Sequence, residues 1–257
     1  MQSYRAGEQH RDMLMSDHWN FYPLLVDGEP ASIFVDLGIA RVAPVAKFPN
    51  MAYLRVRMNH PREDGLSSQQ EFDTLVALEK DVAKTIGSNG RALYVGRNTS
   101  SGNRDFYFYT NDPSIEAKLI EAMENWPSFQ FQTGTRLDRE WSTYWGFLHP
   151  SPEDLQRIGN RDVIDRLLEN GDHIDRPRKI DHFAVFKTPT DRDQFARYIL
   201  AQGYSVSQER DASEFEYGIE FDRTDRPDQI DEITIDLYRN AKVSNGDYDG
   251  WGCVVED

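Results

Sequence analysis

The chain has 257 residues, 39% hydrophobic and 28% charged, with five Trp, twelve Tyr and fourteen Phe, a balance that excludes a disordered polypeptide and supplies aromatic area for two cores. Its formal net charge of −15 is spread along the chain: residues 177–257 hold 18 acidic against 10 basic side chains, and the rest holds 26 against 19. Acidity on both sides argues against non-specific binding to nucleic acid or anionic lipid, where cations must neutralise phosphates, and favours a basic protein partner.

Cys253 is the only cysteine, so no intrachain disulfide can form, which fits a reducing cytosol. No apolar run approaches the roughly 20 residues of a membrane helix, and the N-terminal stretch has no apolar centre of the signal-peptide kind. A cytoplasmic location is therefore expected. Met13 and Met15 stand just before the first structured-looking residues, so residues 1–15 read as a mis-assigned start or a loose leader.

Residues 18–26 and 31–37 are expected as strands joined at Asp27-Gly28-Glu29-Pro30, a turn signal that makes an opening hairpin. Residues 51–59 alternate as a strand does, with Tyr53, Arg55 and Arg57 on one face and Leu54 and Val56 on the other. Ser68-Gln69-Gln70-Glu71 has the form of a capping box. Phe72, Leu75, Val76, Val82, Ala83 and Ile86 then follow at helical spacing, with Gly87 at the end. Glu71 and Glu79 on this helix are assigned to capping and to solvent. Strands at 91–97 and 104–110 flank a polar loop at 98–103. Asp112-Pro113 begins a helix with Ile115, Leu119, Ile120 and Met123 inward, and a strand follows at 128–134. From residue 51 the order is β-α-β-β-α-β.

The aromatic stretch at 139–147 (Trp141, Tyr144, Trp145) is expected to be a short helix packed on the first core. Ser151-Pro152 begins a helix, and a second short one is expected at 161–169. The second series starts with a strand at 179–187. A helix from Pro189 follows, with Phe195, Ala196, Ile199 and Leu200 inward. Strands at 204–210 and 216–223 precede a helix opened by Pro227, and a last strand spans 248–255 and includes Val254 and Val255. The order is again β-α-β-β-α-β. The fold class expected is therefore α+β, with two ferredoxin-like domains in tandem, the first preceded by a β-hairpin. The divisions are a leader at 1–15, a domain at 16–150, a helical linker at 151–177 and a domain at 178–257.

The chain carries no nucleophile elbow, phosphate-binding glycine loop or paired metal-ligand motif. Its six histidines are scattered, so neither a metal nor a cofactor is expected. Asp181-His182 has the residue types of a carboxylate-oriented base, but strand neighbours point to opposite faces, which leaves a surface Asp and a packed His. Asp225, Asp228, Asp231, Glu232 and Asp236 run along the last helix. They read either as a solvated face or as an acidic strip that meets a cationic groove. Trp251, bracketed by Gly250 and Gly252, is either an interface anchor or a lock for the final strand.

Two resemblances rest on these residues. Asp181-His182-Phe183-Ala184-Val185-Phe186, Gly203-Tyr204-Ser205-Val206 and Tyr248-Asp249-Gly250-Trp251-Gly252 resemble the regulator of ribonuclease E activity B family. That resemblance implies a ferredoxin-like domain and a role in binding and inhibiting ribonuclease E, and so in RNA decay. His18-Trp19-Asn20-Phe21-Tyr22, Leu78-Glu79, Tyr94-Val95-Gly96-Arg97, Phe106-Tyr107-Phe108-Tyr109 and the stretch from Trp141 to Phe147 are similar to the domain of unknown function 695. The reading favoured is a non-enzymatic cytoplasmic regulator of a ribonuclease. Its expected partner-binding residues are Asp228, Asp231, Glu232, Asp236, Tyr248, Asp249 and Trp251. It is expected to bind a protein and not nucleic acid or membrane. The alternatives are an immunity protein against a basic toxin nuclease, or an enzyme of unrecognised type with Asp181, His182 or Asp249 in a cleft.

Overall fold

The computed structural model describes residues 16, 18–210 and 217–256; the leader expected at 1–15 lies outside them. The chain forms two compact units, Met1–Pro150 and Ser151–Asp257. Each is α+β and built on one antiparallel sheet. Among the described residues no helix is long and apolar enough to cross a membrane.

The first unit contains β1 (Trp19–Val26), β2 (Glu29–Asp36), β3 (Asn50–Arg57), α1 (Gln69–Gly87), β4 (Ala92–Ser100), β5 (Asn103–Thr110), α2 (Ile115–Met123) and β6 (Phe131–Leu137). The strand order across the sheet is β1-β2-β4-β5-β3-β6. Both hairpins close through two-residue turns whose residues all have positive φ, Asp27-Gly28 and Ser101-Gly102. That backbone matches the right-handed twist of the flanking strands. The polar loop expected at 98–103 is therefore mostly strand, and Asn98, Thr99 and Ser100 are buried.

One face of this sheet carries Ala52, Leu54, Val56, Phe106 and Phe108, packed beneath Leu75, Leu78, Val82 and Ile86 of α1 and Leu119 of α2. Phe72 and Ile120, expected inside, are exposed. Ser68 occupies the N-cap position of α1 without a capping bond, so the expected capping box does not form. Glu71 instead accepts the backbone amides of Asn59 and His60 at 2.8 and 2.9 Å, which ties α1 to the end of β3.

The stretch expected as a short helix at 139–147 is a π-type turn, Tyr144–Leu148, and it packs on the opposite face of the sheet. Trp141 is fully buried and stacks on Tyr109 with ring centroids 3.9 Å apart. Its indole donates to the Phe48 carbonyl, while the Tyr109 hydroxyl donates to Asp138 at 2.6 Å.

The second unit contains α3 (Pro152–Glu169), β7 (Arg178–Phe186), α4 (Pro189–Ala201), β8 (Ser205–Arg210), β9 (Tyr217–Asp225), α5 (Ile230–Val243) and β10 (Gly246–Cys253), with strand order β10-β7-β9-β8. α3 is one continuous helix where two short ones were expected; Gly159-Asn160 does not break it. Ser151 and Thr188 accept the amides of Asp154 and Asp191, the N-cap bonds expected before each Pro. Ala184, Phe186, Phe195, Ile199, Ile219, Phe221, Leu237 and Ala241 form the core, whereas Leu200 faces solvent. β10 ends at Cys253; Val254 and Val255, expected within it, lie beyond it and are exposed.

β10 enters the sheet through a close approach. A Cβ on Gly246 would stand 2.3 Å from the Phe186 ring and 2.7 Å from the Val185 carbonyl oxygen. The ring can turn but the carbonyl cannot, so Gly246→Ala is expected to cost about 1–3 kcal/mol through overpacking. Urea unfolding measures this, and an unchanged midpoint would contradict it.

Candidate functional site

The residues expected to bind a partner all lie in the second unit. Its charge sets their context: residues 151–257 carry 25 acidic against 14 basic side chains, net −11, whereas residues 1–150 carry 19 against 15, net −4. The excess acidity is thus concentrated in one unit.

Pro227 starts a short 3-10 turn that runs into α5, and Asp231 and Glu232 occupy the first turn of the helix. Carboxylates there complement the positive end of the helix dipole. Asp228, Asp231, Glu232 and Asp236 are all exposed. The first three line an open depression of about 570 Å3 together with Arg223, Asp225, Gln229 and Ile233, so four carboxylates face a single guanidinium. That guanidinium is already engaged: Arg223 pairs with Asp225 at 2.7 Å and stacks 4.2 Å over the Tyr204 ring. Arg226 forks onto Asp228, and Arg157 of α3 reaches Glu232 at 3.8 Å. Asp236 sits one helical turn past Glu232 and accepts the Tyr198 hydroxyl of α4. Exposed pairs of this kind contribute little to stability, so the strip remains available to an incoming cation.

Tyr248, Asp249 and Trp251 do not join that strip. The register of β10 on β7 slips between Tyr248 and Gly250, so Tyr248 pairs with Ala184 and Trp251 with His182. A regular strand would send residues 248 and 251 to opposite faces; the bulge at Asp249 turns both toward the helices. Gly250, at φ 122°, supplies the backbone freedom. Asp249 is left exposed as the extra residue. Tyr248 is buried, and its hydroxyl lies 2.8 Å from Nδ1 of His182.

Trp251 is half-buried, and its indole donates to Oδ1 of Asn160 at 2.9 Å. The Asn160 amide nitrogen donates at 2.7 Å both to Asp231 and to Oγ1 of Thr234. One buried asparagine thus fastens β10, α3 and α5 together. Sequence reasoning passed over it, although a mid-helix Asn between Ile158 and Leu167 on an inward stripe was a signal. Asn160→Ala leaves the indole N–H and the Thr234 hydroxyl without this partner and is expected to cost about 1–3 kcal/mol. Thermal unfolding tests it, and a wild-type melting temperature would refute the hub.

Asp181, His182 and Asp249 do not share a cleft. His182 is fully buried between Phe221, Tyr204 and Tyr248. Asp181 is partly exposed and pairs with Lys179 at 2.8 Å. Among the described residues no three His, Cys, Asp or Glu side chains converge as ligands for a metal ion.

Residues 17–149 match the model of a family of unknown function, DUF695. The chain belongs to that family. Residues 157–253 match the model of regulator of ribonuclease activity B, so the second unit carries a domain of a regulator family. The two matches fall on the halves that the residue patterns separated. No curated protein matches the chain in sequence. Among solved structures, a candidate glycine cleavage system transcriptional repressor is similar at 5% identity and a TM-score of 0.27, with 80% of this chain and 98% of that one covered. An unknown protein from Galdieria sulphuraria is similar at 12% identity and a TM-score of 0.23, with 80% and 99% covered. Likeness at those scores carries no argument about fold or function.

Proposed function

We propose that this protein is a non-enzymatic, cytoplasmic regulator that binds a ribonuclease of the ribonuclease E type and modulates RNA decay. The observation that carries the reading is the match of residues 157–253 to regulator of ribonuclease activity B. The strand order β10-β7-β9-β8 within a β-α-β-β-α-β series supports a ferredoxin-like domain there, and β4-β5-β3-β6 supports a second in the first unit. The contact surface is the acidic strip of Asp228, Asp231, Glu232 and Asp236, with Asp249 on the neighbouring strand edge. Tyr248 and Trp251 act from inside, holding β10 in place. A basic groove on the nuclease would be steered onto the strip and occluded, with no covalent step.

The test is RNA cleavage by a purified ribonuclease E-type enzyme with and without the full chain, alongside the triple variant Asp228→Asn, Glu232→Gln, Asp236→Asn. The wild type is expected to slow cleavage. The triple variant is expected to associate about tenfold more slowly at low salt and to lose most salt dependence. Unchanged cleavage with no detectable complex would overturn the proposal, and wild-type behaviour of the triple variant would move the contact elsewhere.

A further inference from the structure

The sheet face of the first unit that points away from α1 and α2 has a composition the acidic total conceals. Tyr53 of β3 and Tyr107 of β5 are direct cross-strand partners on it, on the second and third strands from the β6 edge. Gly134 of β6 lies opposite Tyr53 on the other side. The Tyr53 ring extends over that glycine, where a Cβ would come within 2.9 Å of Cε1 and 3.1 Å of Oη. A side chain at position 134 would therefore displace the ring from the sheet. Tyr53 is half-exposed, so part of its ring is open to solvent.

Beyond Tyr53 along β3 come Arg55 and Arg57, both exposed. They open onto a groove of about 1050 Å3 lined also by Asn59, Asn103, Gln130 and Gln132, and no carboxylate lines it. The one acid beneath, Asp105, is buried and neutralised by both arms of Arg55, at 2.8 and 2.7 Å. Arg57 has no ion pair or hydrogen bond from its guanidinium among the described residues. Arg136, two positions past Gly134 on the same face, is exposed and donates to Oγ1 of Thr143 at 2.7 Å. The face thus presents an aromatic ring, three guanidiniums and a cluster of side-chain amides, each able to donate and accept.

We propose that this face docks single-stranded RNA, with a base stacked on Tyr53, phosphates on Arg57, Arg55 and Arg136, and 2′-hydroxyls met by the amides of Asn59, Asn103, Gln130 and Gln132. The stretch from Trp141 to Leu148 covers the part of this face around Tyr107 and Tyr109, and the part left open, around Tyr53 beside the β6 edge, suits splayed bases, which a paired duplex does not offer. The net charge of the chain weakens distant attraction, but a carboxylate-free groove lined by arginines governs contact at short range, because exposed charges beyond about 10 Å are screened. The inference concerns the first unit and stands apart from the ribonuclease reading of the second.

The experiment is fluorescence anisotropy of the full chain with an end-labelled single-stranded RNA of about twelve nucleotides at about 50 mM salt. The same sequence as DNA, an RNA duplex and heparin serve as companion probes. Single-stranded RNA is expected to bind most tightly, with log K falling against log salt at a slope of about −1.4 to −2.1 for two or three phosphates. Tyr53→Leu, which keeps an apolar cover over Gly134, is expected to weaken binding about tenfold with the slope unchanged. Arg57→Gln is expected to shallow the slope by about 0.7. Absence of RNA binding, or full affinity in Tyr53→Leu, overturns the proposal. Equal binding of DNA overturns the assignment to RNA, and equal binding of heparin or duplex shows a plain polyanion surface in its place.

Discussion

Replacing Glu79 by Gln is expected to destabilise the first unit by about 3–5 kcal/mol, the range for breaking a buried ion pair from one side. Glu79 is buried on α1 and accepts from Arg97 with both carboxylate oxygens at 2.7 Å and from the Tyr94 hydroxyl at 2.8 Å. Arg104, only 1% exposed, lies 3.8 Å away, and its Nε and Nη1 have no hydrogen-bond partner. Burial and the neighbouring Arg97 draw Arg104 down to about 10, so it still carries its proton at neutral pH. Glu79→Gln keeps the shape and removes the counter-charge, which leaves two guanidiniums side by side, one of them sealed from water. Arg97→Gln is expected to cost less, because Glu79 keeps Tyr94 and Arg104 and the repulsion between the two arginines is relieved. Four of the five Trp lie in this unit, so urea unfolding followed by Trp fluorescence reports it directly. Equal cost in the two variants, or a wild-type midpoint for Glu79→Gln, would show that Arg104 does not depend on Glu79.

The helix face that Glu79 occupies was legible; its burial was not. Residue 79 falls on the same stripe as Leu75, Leu78, Val82 and Ile86, so its position pointed inward while its charge pointed outward. Local patterning cannot decide such a case, because the partners come from β4 and β5, which lie elsewhere in the chain. The same limit applies to Trp251. Its spacing from Tyr248 suggests opposite faces, and only the register slip against β7 turns both rings inward. Several elements with local signals are legible, although the Ser68 capping box does not form and the turn at Ser101-Gly102 is shorter than the loop expected at 98–103. The two N-cap Ser/Thr-Pro starts, the alternation of Tyr53 to Arg57 and the order of strands and helices depend on neighbours a few residues apart. Helical spacing gathers Asp231, Glu232 and Asp236 on α5, and the short turn from Pro227 brings Asp228 beside them. The uneven sharing of charge between the units is not legible from a count divided at residue 177, because α3 and the stretch after it, net acidic, lie before that point and within the second unit.

The second unit is expected to lose about 3 kcal/mol of stability as pH falls from 6.5 to 4, through His182. This side chain is fully buried, with Nδ1 at the Tyr248 hydroxyl and Nε2 without a partner. Burial holds the imidazole down to about 4 from its ordinary 6.5, and the Arg223 charge adds to that, while Asp181 and Asp222 oppose it weakly. Above pH 6.5 neither the folded nor the unfolded chain protonates it, and it contributes no slope. Between 6.5 and 4 the unfolded chain binds the proton and the folded one does not, so stability drops by about 1.4 kcal/mol per pH unit. Below 4 both bind it and the slope ends. Asp172 and Asp191 have carboxyls held below their ordinary 3.8, and the hydrogen bond from Arg239 holds Glu153 below its ordinary 4.5, so their contributions are lost at or below the lower end of this window and leave its upper part to the imidazole. His149 is lowered by burial too, but it belongs to the first unit, so the probe must be specific. Backbone NMR signals of β7 and β9 during urea unfolding provide that probe. His182→Phe, which fills the space without titrating, is expected to flatten the profile even if it lowers stability at neutral pH by stranding the Tyr248 hydroxyl. A wild-type profile that is already flat from 6.5 to 4 would mean that the core accepts an imidazolium, although Nε2 has no hydrogen-bond acceptor among the rings of Phe221 and Tyr204 that pack around it.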